Sequence, residues 1–157
     1  MKKILMIVLM FNITVAYCQT DKYDGDWYYS YSGDCGSGPG NKGSGKVVYR
    51  IRTVEGNTSV RVKQQYPCES EYEYWQCNVT KCDENGLEWH SCINQYEDYE
   101  NPNVIIKIEY YCRLVNAYGS LQAQTYYVQS EVVNNKLINS VAYGSKDFTL
   151  YKDDNDW

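Results

Sequence analysis

The sequence predicts an all-β fold: an antiparallel meander that closes into a barrel, with a β-sandwich as the second solution, stapled by disulfides. Three observations lead there. Apolar and polar residues alternate with period two along most of the chain, and turn residues interrupt the alternation at short intervals. Tyrosine, a strand-favouring residue, occurs 18 times, and no window carries a convincing 3.6-residue repeat.

The first residues stand apart from that pattern. Lys2 and Lys3, the apolar run Ile4 to Phe11 and then Ala16-Tyr17-Cys18 have the three-part form of a secretory signal. The apolar run is too short to cross a hydrocarbon core, which needs roughly 20 residues. Residues 1–18 are therefore expected to be a signal peptide cut after Cys18, and residues 19–157 a single secreted β domain. Trp27 to Tyr31 opens the strand series. Seven glycines and prolines between Gly33 and Gly45 then read as a Gly-rich flexible loop tethered by Cys35. Val47, Tyr49 and Ile51 alternate with Arg50 and Arg52. After the turn Glu55-Gly56-Asn57, Val60 and Val62 alternate with Arg61 and Lys63. Tyr72 and Tyr74 alternate with Glu71 and Glu73, and Asn85-Gly86 gives a hairpin signal leading to Leu87 and Trp89.

The clearest strand runs from Val104 to Leu114, with Ile106, Ile108, Tyr110 and Cys112 on one face and Lys107, Glu109 and Arg113 on the other. Asn116 to Gly119 turns the chain into Leu121 to Val133. Asn134-Asn135 turns it again into Leu137 to Tyr143, and Phe148 and Leu150 close the series. The total is about nine strands with short links, which must hide their edges by closure or by pairing of sheets.

With Cys18 removed, six cysteines remain: Cys35, Cys68, Cys77, Cys82, Cys92 and Cys112. An even number in an exported chain predicts three bridges and no free thiol. A zinc site from Cys77, Cys82, His90 and Cys92 is disfavoured by irregular spacing, and no metal or other cofactor is expected. Asn57-Thr58-Ser59 and Asn78-Val79-Thr80 are glycosylation sequons, Asn57 the better placed. The formal charge of −5 grows two units more negative without Lys2 and Lys3. That balance argues against nucleic acid as a partner, and against electrostatic binding to a membrane once the signal is cut.

Gly25-Asp26-Trp27-Tyr28, at the start of the first strand, resembles the Gly-x-Trp opening of lipocalins and their calycin relatives. The resemblance implies a barrel whose floor is closed by Trp27 and whose cavity takes small apolar molecules. Trp27, Ile106, Ile108 and Tyr110 would then be ligand-lining residues. The family's Thr-Asp-Tyr motif and the helix before its last strand have no counterpart in this chain.

No catalytic set is expected. His90 is the one histidine, set on the polar side of its strand, and no nucleophile-elbow sequence accompanies it. The tail Asp153-Asp154-Asn155-Asp156 and the pair Asp24 and Asp26 lack the ligand spacing of a calcium loop. Tyrosine pairs at 28–29, 110–111 and 126–127 place one ring of each pair on the outer face if those segments are strands. The sequence thus points to a secreted, non-enzymatic binding or effector protein acting on an extracellular protein or a small apolar ligand. A small hydrolase using paired carboxylates and a Tyr-rich structural or matrix protein are the alternatives.

Overall fold

The computed structural model describes residues 21–36 and 40–153. The expected signal segment lies outside them, as does the acidic tail beyond Asp153. The described residues form nine antiparallel strands and no helix: β1 (Gly25–Asp34), β2 (Lys42–Val54), β3 (Asn57–Gln65), β4 (Glu73–Asp83), β5 (Gly86–Glu97), β6 (Ile105–Ala117), β7 (Ser120–Val133), β8 (Lys136–Thr149) and β9 (Tyr151–Lys152). They make one sheet in the order β8-β7-β6-β5-β4-β3-β2-β1-β9. This is the expected all-β meander, curled into a half-barrel; the sandwich alternative is excluded because there is no second sheet among the described residues.

Turn chemistry explains the regularity of the meander. Glu55-Gly56, Tyr118-Gly119 and Asn134-Asn135 each join two strands with both residues at positive φ, between 50° and 79°. Two-residue loops of that shape match the twist of the strands they connect. The β4–β5 turn departs from expectation. Its loop is Glu84-Asn85, with the Asp83 carboxylate accepting from the backbone N–H of Asn85 and Gly86. Gly86 is instead the first residue of β5, where a Cβ would stand 3.0 Å from the Leu114 carbonyl.

The Gly-rich segment is likewise corrected. Residues 33–45 are not one flexible loop: β1 runs through Asp34, β2 begins at Lys42, and Gly33 pairs with Gly43. A Cβ at Gly45 would lie 2.5 Å from the Tyr31 ring, and one at Gly43 would lie 2.3 Å from Cys68 Sγ. These glycines are strand residues over which an aromatic ring and a disulfide pack.

Closure occurs at one end. Only Leu150 separates β8, paired with β7, from β9, which pairs Lys152 and Tyr151 with Trp27 and Tyr28 of β1. Leu150 N–H donates to the Leu121 carbonyl and Asp153 N–H to that of Asp26. The final segment therefore crosses from one edge of the sheet to the other. Salt bridges surround this join: Lys46 Nζ to Asp153 Oδ2 at 2.7 Å, and the buried Asp26 carboxylate to Arg50 and Arg52 at 2.8 and 2.9 Å. Above it, Tyr29 to Asp34 of β1 have no strand partner on that side among the described residues.

The core fills the closed half. Trp89, Tyr49, Ile51, Leu87, Leu114, Val60 and Val62 are its most completely buried side chains. Burial alternates along β3 (Thr58, Val60, Val62) and β6 (Tyr110, Cys112, Leu114), as period two requires.

Candidate functional site

The tyrosine pairs divide as their spacing demands. Tyr29, Tyr110 and Tyr127 turn to the concave side, where Tyr29 and Tyr110 are buried and Tyr127 packs against the core. Tyr28, Tyr111 and Tyr126 turn to the other side, where Tyr111 stacks on Tyr126 and on His90. The concave rings form a connected series leading from the core to the open seam. Trp89 meets Tyr49 edge-on at 5.0 Å, Tyr49 lies 6.0 Å from Tyr29, and Tyr29 stacks on Phe148 of β8 at 3.9 Å. In parallel, Tyr110 lies 5.4 Å from Tyr127, which stacks on Tyr143 at 5.7 Å.

Where these series reach the unsealed end, they wall a cup. One hollow of about 420 Å³ lies between β1 and β8, bounded by Tyr29, Tyr31, Tyr66, Tyr127, Tyr143 and Phe148. Gln64 and Thr125 supply polar groups inside it, and Asp34 and Lys146 stand in the lining. A second hollow of about 540 Å³ shares Tyr66, Tyr127 and Tyr143 with the first and adds Glu73, Ile93, Asn94 and Ile108. Ile93 reaches it because the β5–β6 register shifts between Cys92 and Asn94. Such shifts re-aim side chains at a sheet's rim.

Burial makes several of the phenols harder to ionise. Burial pushes Tyr29, Tyr49 and Tyr110 above the ordinary phenol range. Tyr66 is raised by burial and then by the Glu73 carboxylate, to which its hydroxyl donates at 3.3 Å. Gln64 Nε2 donates to the Tyr31 hydroxyl at 3.0 Å, and the hydroxyls of Tyr49 and Tyr110 bond to each other in the core. At neutral pH the cup offers aromatic surface with phenol, amide and hydroxyl hydrogen-bonding groups beside the charged Asp34, Lys146 and Glu73, the mixture that fixes a small organic molecule.

No family model matches the chain, and the searches of curated proteins and of solved structures find no match either.

Of the expected lining residues, Ile108 lines the second hollow and Tyr110 packs beneath it against Tyr127. Ile106 is buried two residues further along the same face of β6 but outside the main core cluster. Trp27 packs against the core near the closed end; its Nε1 donates to the Tyr23 carbonyl at 2.8 Å and Lys152 lies over its ring. Sequence reasoning missed Tyr31, Tyr66, Tyr127, Tyr143 and Phe148 as walls, although the tyrosine excess and the paired positions were the available signal.

The cysteines need a correction. Cys35 and Cys68 are bonded, tying the β1–β2 turn to the β3–β4 link beside the cup, and Cys82 is disulfide-bonded as well. Cys77, Cys92 and Cys112 are free thiols, so three bridges among the six are not formed. Cys77 and Cys112 are buried together in the core, whereas the sheet sets Cys92 apart on its other face, where it is exposed. Burial raises the thiols of Cys77 and Cys112, which neighbour Ser91 and the tyrosines Tyr49 and Tyr110 respectively. Among the described residues no three metal-ligating side chains cluster.

The remaining candidates sit away from the cup. His90 is on the outer face, its Nε2 3.9 Å from Glu109. Beside it an outer hollow of about 550 Å³ is lined by Glu88, Arg113, Gln124 and Asp147, with Glu88 held by Arg113 at 3.3 Å. Both sequon asparagines are exposed, Asn57 at the start of β3 and Asn78 within β4.

Proposed function

We propose that this is an exported, non-enzymatic binding protein of lipocalin-like type that holds a small, mainly apolar and aromatic molecule in the tyrosine cup. One observation carries the reading: the concave tyrosines converge on the end of the sheet that closure leaves open, around a hollow of about 420 Å³. Ligand sites are typically concave, largely apolar and furnished with a few placed polar groups; here Gln64, Thr125 and the phenol hydroxyls fill that role. The Cys35–Cys68 bond supports export, because such bonds persist in oxidising compartments. Exposed Asn57 and Asn78 would carry glycans in a eukaryotic host.

Titration with the fluorescent anion 1-anilinonaphthalene-8-sulfonate tests the reading. The reading expects saturable binding to the folded protein and a loss of affinity of about tenfold or more in Tyr127→Ser/Tyr143→Ser, since two ring contacts are removed. Tyr111→Ser/Tyr126→Ser, on the outer face, should bind as the parent does. Absence of saturable binding, or equal affinity in both double variants, would reject the cup as the site.

A further inference from the structure

The β7–β8 hairpin ends in a strand that the rest of the molecule does not cover. β8 is exposed almost throughout, including Leu137, Ile138, Val141 and Tyr143 at 63%, 57%, 56% and 44%. It is paired along its length with β7, and among the described residues no strand pairs with its other edge. Edge strands are ordinarily protected from pairing by charges, proline or brevity. β8 is 14 residues long, and from Leu137 to Ser145 it carries no charge and no proline. Its register against β7 shifts at Ile138 and again at Gly144-Ser145, leaving Asn139–Tyr143 as a regular stretch between two bulges.

We propose that this edge docks a second copy of the same chain, two β8 strands pairing antiparallel about a two-fold axis at Val141. Several features select a copy of itself. A row of free backbone N–H and C=O groups is complementary to another strand, and a two-fold axis lets one surface serve both partners. The bulges at Ile138 and Gly144 lie equally far from Val141, so the axis brings each opposite its counterpart. Asn139 then faces Tyr143 and Ser140 faces Ala142, pairs without like charges or steric bulk on both sides. The chain's net charge is −5, so most other surfaces would oppose self-association, whereas this stretch is neutral. A charged partner would gain no Coulomb attraction there. The paired stretch is short, which places the dimer among weak, reversible interfaces. Tyr143 belongs both to the edge and to the cup, so pairing sets the two cups side by side.

Sedimentation velocity on the full secreted chain, over roughly 1–100 µM, reads the association directly. A reversible monomer–dimer equilibrium is expected, with concentration-dependent hydrogen-exchange protection confined to residues 137–145. Val141→Lys puts two ammonium groups face to face on the axis and should weaken the dimer about tenfold or more. Val141→Glu should do the same, and an equimolar mixture of the two variants should recover a heterodimer. Because Val141 is more than half exposed, both variants should retain the parent's circular dichroism. A chain that stays monomeric throughout the range overturns the proposal. So does a dimer that Val141→Lys leaves intact, or protection that appears elsewhere. Anilinonaphthalene binding by the monomer is measured separately, so failure of the dimer does not bear on the cup.

Discussion

Buried phenols and thiols make the molecule's response to alkali specific. Tyr29, Tyr49 and Tyr110 are held neutral by burial, and Cys77 is pushed from 9.0 up to about 12. In the unfolded chain these groups lose their protons near pH 9–10, while the native state keeps them. The unfolded state then binds fewer protons, so stability is full below about pH 9 and falls as pH rises towards the folded values. Each group removes about 1.4 kcal/mol per pH unit within that window. Spectrophotometric titration at the tyrosinate band should therefore show the exposed phenols first, and Tyr29, Tyr49 and Tyr110 only together with loss of β circular dichroism. The same burial sorts the thiols. A maleimide should label Cys92 rapidly and Cys77 and Cys112 only as fast as the protein unfolds, with Cys35 and Cys68 protected until reduction. Peptide mapping under non-reducing conditions reads all six.

Among the strands, β1 bears two distinct constraints. At its closed end Asp26 accepts from both Arg50 and Arg52 of β2 and is itself almost fully buried. Asp26→Ala removes the buried carboxylate that Arg50 and Arg52 share and should cost about 2–4 kcal/mol in a urea melt. At its open end Tyr31 lies across Gly45, where any Cβ would intrude on the ring and on the Gln65 carbonyl. Gly45→Val should expel Tyr31 and lower anilinonaphthalene affinity several-fold, a change followed by the same fluorescence titration. Strand positions were legible in the sequence because period-two alternation and two-residue turns act locally, as in Val60 and Val62 after Glu55-Gly56. The glycines at 43 and 45 were not, since a glycine chosen for close packing within a strand has the same composition signal as one in a loop. The two-residue β9 carries no periodicity, and its place is fixed by pairing with Trp27 and Tyr28 and by the bonds of Leu150 to Leu121 and of Asp153 to Asp26. Tyr66 and Tyr143 could not be assigned to one site from sequence, because curvature of the sheet is what brings them together.

For the molecule as a whole, the Cys35–Cys68 bond spans 33 residues and braces the end that lacks strand-to-strand closure. In the chain-entropy account a loop of that length contributes about 3–4 kcal/mol. Cys35→Ser/Cys68→Ser should lower stability by that order in a denaturant titration and lower anilinonaphthalene affinity as well, because Pro67 beside Cys68 lines the cup. Pairing of β1 with β9 has a different result. It sets Trp27 and Lys152, near the two ends of the described chain, against each other at the pole remote from the cup. A short peptide graft could therefore join Asp153 to Asp21, with new ends opened at Asn134-Asn135, and the rearranged gene would still encode the same wall of tyrosines.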